Sequence, residues 1–143
     1  MIERYSRKEI KNIWDDYNKY TIWLKIELAA AEAMEKFRLI PKGVVKKIKS
    51  KARINVNRIS KIEEKVKHDV IAFLTSITEK AGKEAKYLHK GMTSSDVLDT
   101  CFNLQLKQSG KILLKDINQL LSSIKRQANK YKYTLCILSL IHI

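Results

Sequence analysis

The stretch Tyr87-Leu88-His89-Lys90-Gly91-Met92-Thr93-Ser94-Ser95-Asp96-Val97-Leu98-Asp99-Thr100 decides how this chain folds. It places a glycine, three consecutive hydroxyl residues and an acid in front of an apolar-periodic run. That is the composition of a helix N-terminus. A Ser or Thr caps free backbone N–H groups, and Asp96 in the first turn complements the positive end of the helix dipole. A capped, glycine-led helix start is also a ready anion site.

Downstream, Val97, Leu98, Cys101, Phe102, Leu106, Leu113, Ile117, Leu120, Leu121 and Ile124 keep three- and four-residue spacing. No breaker stronger than Gly110 appears before about Tyr131. At ~1.5 Å per residue such a helix is nearly 60 Å long. A compact chain of this size has a diameter of roughly 35–40 Å. The apolar stripe therefore has to be covered by something this chain does not supply, either further bundle sequence or other subunits.

Upstream, shorter helices are expected. Ser6-Arg7-Lys8-Glu9 reads as a capping box with Ser6 at the N-cap, opening a helix with Ile10, Ile13 and Trp14 on one face. Asp15 and Asp16 cap a second, longer helix. Its apolar positions are Tyr20, Trp23, Leu24, Ile26, Leu28, Ala30, Ala31 and Met34, and Ile40-Pro41 ends the unit. Residues 42–52 form a short helix with Val44, Val45 and Ile48 inward. Asn55 caps another with Val56, Ile59, Ile62 and Val66 as its stripe. Lys67-His68-Asp69 interrupts. Residues 70–81 resume as an apolar helix with Val70, Ile71, Phe73, Leu74 and Ile77, closed by Gly82. The expected fold is all-α. A small N-terminal helical domain spans residues 1–93, and residues 94–143 form the first long helix of an incomplete helical bundle.

Composition agrees. An apolar fraction of 45% with 31% charged residues belongs to a folded chain, and one proline with four glycines argues against a turn-rich β protein. The net charge of +14 suggests a polyanion partner. However, the charge is mostly lysine spread along the chain, without an Arg-rich helix or an aromatic platform, so nucleic acid is not the expected partner. The same field draws in a small anionic substrate. Cys101 and Cys136 stand 35 residues apart without a metal-ligand spacing, so neither a zinc site nor a disulfide is expected. That usage suits a reducing, cytoplasmic setting. The charged start Met-Ile-Glu-Arg-Tyr-Ser-Arg is unlike a signal peptide. The longest apolar run, residues 135–143, is too short to span a bilayer, so no membrane is expected.

Three polar clusters carry chemistry: Arg4-Tyr5, Lys67-His68-Asp69, and the hydroxyl cluster at 93–95. Each alone has a plain explanation as surface, capped turn or helix cap. Together they suit a substrate with several negative charges: Arg for phosphate, a helix start for carboxylate, His for proton transfer.

At these residues the chain resembles adenylosuccinate lyase, of the fumarase/aspartase superfamily. The matching pieces are Ile2-Glu3-Arg4-Tyr5-Ser6-Arg7, Ile13-Trp14, Trp23-Leu24, Glu27-Leu28-Ala29, Glu63, His68-Asp69-Val70-Ile71-Ala72-Phe73 and, above all, the string from His89 to Thr100. The carboxymuconate cycloisomerase branch has Gly-x-Thr-Ser-Gln-Asp at that point, and Ser95 favours the adenylosuccinate enzymes. The resemblance implies β-elimination of fumarate from adenylosuccinate, giving AMP, and from the succinyl-carboxamide ribotide of purine biosynthesis. It implies no metal or other cofactor, and a homotetramer. By the same resemblance Arg4 and Tyr5 contact the nucleotide. Lys67, His68 and Asp69 line the substrate pocket, with His68 in an assisting role near the reacting end. Thr93 and Ser94 hold the succinyl carboxylate.

The likeness stops after about residue 137. The family continues into a Gly-Arg-Ser-His-Gly-x-His-type stretch with the catalytic histidine, where this chain has Leu138-Ser139-Leu140-Ile141-His142-Ile143. The loop with the catalytic serine lies beyond residue 143. The chain is thus expected to be an N-terminal fragment without turnover of its own, and His142 is not assigned the catalytic role. The rival readings are a basic helical nucleic-acid-binding module and a self-associating structural module.

Overall fold

Helix α2 (Asp16–Lys36) carries six buried residues into the core. The computed structural model describes residues 3–136. Before α2 come a 3-10 turn at Glu3–Tyr5 and α1 (Lys8–Ile13). After it come α3 (Val44–Lys51), α4 (Val56–Val66), α5 (Asp69–Ala81), a 3-10 turn at Gly82–Tyr87 and α6 (Ser94–Tyr131). Among the described residues there is no strand, so the all-α expectation holds. The chain divides into two compact units, Met1–Gln108 and Ser109–Ile143.

Most helix boundaries follow from local chemistry visible in the sequence. Asp15 caps α2 by accepting the Tyr17 N–H, and Asn55 caps α4 by accepting that of Arg58. Two boundaries differ from the expectation. Helix α1 opens on Arg7, whose carbonyl accepts the first helical bond from Lys11 at 2.9 Å, with no side-chain cap bond from Arg7. The N-cap position thus falls on Arg7, one residue after Ser6. Helix α2 ends at Lys36, before Ile40-Pro41. Arg38 adopts a left-handed φ of 59°, the Leu39 N–H bonds the Met34 carbonyl and the Arg38 N–H bonds that of Glu35. This pair of bonds is a Schellman closure, which satisfies the last carbonyls before proline is reached.

The core of the first unit is one cluster. Tyr20 and Trp23 of α2 meet Phe73 of α5: Tyr20 stacks on Phe73 at 5.9 Å, and Trp23 meets both rings edge-on at 5.2 and 5.4 Å. Val44, Val45 and Ile48 of α3 are buried in the same cluster, as are Ile59 and Ile62 of α4. Val66, expected in the α4 stripe, is instead 42% exposed. It is the last residue of α4, beside the corner where Lys67 turns left-handed with φ 53°. Ile71 on α5 is also exposed, in contrast to its neighbours Val70, Ala72 and Phe73.

The opening turns of α6 join this core through Val97 and Cys101. The Gln105 amide donates to the Ile13 carbonyl at 2.8 Å, and Asn18 donates to the same oxygen at 2.7 Å. Two side chains thus satisfy a carbonyl at the end of α1 that the helix cannot use. Trp14, expected on the α1 face, is the C-cap residue, and its ring meets Phe102 at 6.0 Å. In the second unit, Leu113, Leu114, Ile117, Leu120, Leu121 and Ile124 are all exposed. No helix among the described residues is long and apolar enough to cross a membrane.

Candidate active-site residues

The start of α6 pairs a left-handed glycine with a first-turn acid. Gly91 takes a left-handed φ of 71°, which costs glycine little. Asp96 turns its carboxylate back to accept the Thr93 N–H at 2.8 Å, while the Asp96 N–H bonds the Thr93 carbonyl at 3.1 Å. This is the return half of a capping box with Asp in the Glu position. It directs the Asp96 charge along the chain toward residue 93. Thr93 is exposed and Ser94 half-buried, so the hydroxyls and the first-turn N–H groups lie at the surface of the unit.

Lys67-His68-Asp69 forms the tight corner between α4 and α5. Lys67 closes α4 in the left-handed region, its N–H bonding the Glu63 carbonyl at 2.8 Å. His68 is the N-cap of α5: its Nδ1 accepts the Ile71 N–H at 3.4 Å, a long bond. Asp69 accepts the N–H of Val70 at 2.7 Å, and its carboxylate lies 3.5 Å from His68 Nδ1. The two contacts of His68 Nδ1 exclude each other chemically. A bare nitrogen caps the helix, and a protonated one pairs with Asp69. Arg4 and Tyr5 lie in the first 3-10 turn, with the Arg4 guanidinium 4.8 Å from the Tyr5 ring centroid and both side chains exposed.

No hydrogen bond among the described residues joins these three clusters to one another. Lys67 lines a shallow depression with Ser60, Glu63 and Glu64. A wider cleft, between α2 and α3, is lined by Glu32, Arg38, Leu39, Lys42 and Lys49 and contains none of the candidates. Among the described residues no group of three or more His, Cys, Asp and Glu side chains is placed to hold a metal ion. Ser139 and His142 lie outside the described residues.

One pair escaped the reading of individual residues. Glu27 of α2 is fully buried, and its carboxylate holds His89 twice, accepting the backbone N–H at 2.6 Å and facing the imidazole Nδ1 at 2.7 Å. Trp23, Glu27 and Ala31 stand four residues apart, and all three are buried. An acid in the middle of an apolar helical stripe is the signal that was there to be read, because a buried carboxylate needs a donor.

A family model described as Lyase matches residues 4–137. The adenylosuccinate lyase of Staphylococcus saprophyticus is 44% identical over 135 residues, covering 94% of this chain and 31% of that protein. The chain therefore spans about a third of the length of this curated relative. The fumarate lyase from Mesorhizobium sp. BNC1 superposes with a TM-score of 0.80 at 20% identity, over 87% of this chain and 30% of that one, and so shares the fold. With 134 consecutive residues under one family model, an all-α core and the His89–Thr100 string at the head of its long helix, the chain belongs to the lyase family.

Proposed function

We propose that this chain supplies the substrate-anchoring part of an adenylosuccinate lyase. The observation that carries the reading is the head of α6. There Gly91 and Thr93 precede, and Ser94 opens, a helix with a first-turn acid, whose first-turn N–H groups and hydroxyls suit a carboxylate. The likeness to the Staphylococcus enzyme runs through this segment and supplies the substrate.

In this reading Thr93 and Ser94 hold the succinyl carboxylate of adenylosuccinate. Arg4 and Tyr5 approach the nucleotide end, with the guanidinium on phosphate. Lys67, His68 and Asp69 line the pocket, and His68 assists near the departing nitrogen. The reaction is elimination of fumarate: a proton leaves the succinyl carbon as the carbon–nitrogen bond breaks, giving AMP, with no metal or cofactor required. The base that takes the proton and the acid that serves the nitrogen come from outside residues 1–143. The isolated chain thus binds without turnover. The division into a helical domain over 1–93 and a bundle helix over 94–143 belongs to the same proposal. So do a cytoplasmic place in purine biosynthesis and a homotetramer that covers the exposed leucine–isoleucine face of α6.

The test is adenylosuccinate titrated into the 143-residue chain, followed by backbone amide shifts and by fumarate absorbance. We expect saturable shifts at residues 91–96, at least tenfold weaker binding in Thr93→Ala and Ser94→Ala, and no fumarate. Saturation without any shift at 91–96, or the absence of binding, would overturn the reading.

A further inference from the structure

The buried carboxylate of Glu27 is the group that the proposed chemistry leaves unused. Its side chain is fully buried, whereas that of His89 remains 21% exposed. Three geometric facts constrain the pair. Glu27 Oε2 faces the His89 backbone N–H, which can only donate. Glu27 Oε1 faces His89 Nδ1 at 2.7 Å. His89 itself is held in the left-handed region, with φ 57°, at the turn that leads into Gly91 and α6. Two lone pairs cannot face each other at 2.7 Å, so a hydrogen lies between the two atoms, and a carboxylate, which only accepts, takes it from nitrogen. Nδ1 therefore carries a hydrogen in both charge states of the ring, and Nε2 is the nitrogen left with a choice.

We propose that Glu27 is a positioning residue that acts through His89. It fixes the left-handed turn through the backbone N–H and locks the imidazole with Nδ1 protonated, which leaves Nε2 as the working nitrogen beside the head of α6. The significance of that nitrogen for a substrate rests on the function proposed above, because His89 stands four residues before Thr93. The lock itself does not, since it is a property of the unliganded chain. A carboxylate suits both partners because it offers two separate acceptor oxygens, one for the backbone N–H and one for Nδ1. The strained backbone of residue 89 and the orientation of its ring are thus set by one side chain from a helix 62 residues away.

The amide variant gives a test with opposite outcomes. In Glu27→Gln the side-chain oxygen must face the obligate donor, the His89 N–H, and the NH2 group then faces Nδ1. That arrangement requires Nδ1 to accept and moves the hydrogen to Nε2. Long-range 15N–1H correlation on the labelled chain distinguishes the tautomers, with His68→Gln and His142→Gln used to assign the three histidines. We expect the neutral ring of wild-type His89 to carry its hydrogen on Nδ1. In Glu27→Gln we expect the neutral ring to invert to the Nε2–H form. A neutral wild-type His89 with its hydrogen on Nε2 would overturn the proposal, and this measurement needs no variant to fold. An unchanged tautomer in a folded Glu27→Gln would overturn it equally, leaving Glu27 a backbone anchor alone. No ligand is present in the test, so the result is independent of whether adenylosuccinate binds.

Discussion

Glu35, near the end of α2, caps α3 from outside that helix. Its carboxylate accepts the N–H of Gly43 with one oxygen and that of Val45 at 3.1 Å with the other. Helix α3 has no side-chain cap of its own, because Gly43 occupies the N-cap position with φ 88°. A residue eight positions upstream thus supplies what Ser or Asp supplies elsewhere. The bonds from Gly43 and then Val45 hold the Glu35 carboxyl below its ordinary value of 4.5.

A pH dependence follows, with its sign fixed. A carboxyl whose folded pKa is depressed contributes stability that is present above its unfolded value and is lost as pH falls through the folded one. Glu79, bonded by Arg58, and Glu84, bonded within its own turn and by Lys47, are shifted in the same direction. The thermal midpoint should therefore hold near neutrality and fall as pH drops below about 4.5. Glu35→Gln should melt lower than wild type at pH 7 and approach it in acid. A constant gap between the two melting curves across the range would contradict this assignment.

The aromatic triad predicts the largest core effect. Phe73→Ala removes a ring that meets both Tyr20 and Trp23, and should cost about 3–5 kcal/mol in urea unfolding. Val66→Ala, on a position the sequence pattern would rank as core, should cost no more than about 0.5 kcal/mol because the side chain is exposed. Similar costs for the two would mean that the burial described here is wrong.

The two thiols should separate kinetically. Cys101 is buried beneath Lys19 and Gln105, and burial pushes its thiol up from the usual range, while Cys136 is exposed. An aromatic disulfide reagent at pH 8 should titrate one thiol quickly in the native chain, with the second following only as the chain unfolds. Two fast equivalents would be inconsistent with this packing.

His68 should have separable roles. His68→Ala removes the acceptor for the Ile71 N–H, and because that bond is long the cost should be near about 0.5 kcal/mol, the low end for a lost cap. His68→Asn retains a short acceptor and should restore the stability. If it also restores the adenylosuccinate binding proposed for this chain, His68 is only a cap. If binding stays at least tenfold weaker, the ring itself meets the substrate.

Much of this was legible in the residues. The start of α6, the caps at Asp15 and Asn55, and the inward face of α3 follow from local chemistry that a linear pattern records. What was hidden depends on partners distant in sequence. Ser6 looks like a cap, but the carbonyl that begins α1 belongs to Arg7. Pro41 looks like the end of α2, but a left-handed Arg38 closes it first. Val66 keeps the periodicity of α4, yet periodicity does not say where the neighbouring helix stops covering the stripe. The Glu27–His89 pair was hidden for the same reason. Each residue is unremarkable alone, and only the fold brings them together across 62 positions.

The exposed leucine and isoleucine face of the second unit and the net charge of +14 act on the same event, the meeting of two copies, with opposite sign. In dilute buffer the mutual repulsion of lysine-rich surfaces keeps such faces apart. Salt shortens the range of that repulsion from about 10 Å at 0.1 M to about 3 Å at 1 M, while apolar attraction remains. The colloidal behaviour of this chain therefore runs opposite to that of a charge-paired assembly: added electrolyte drives it together, and desalting disperses it.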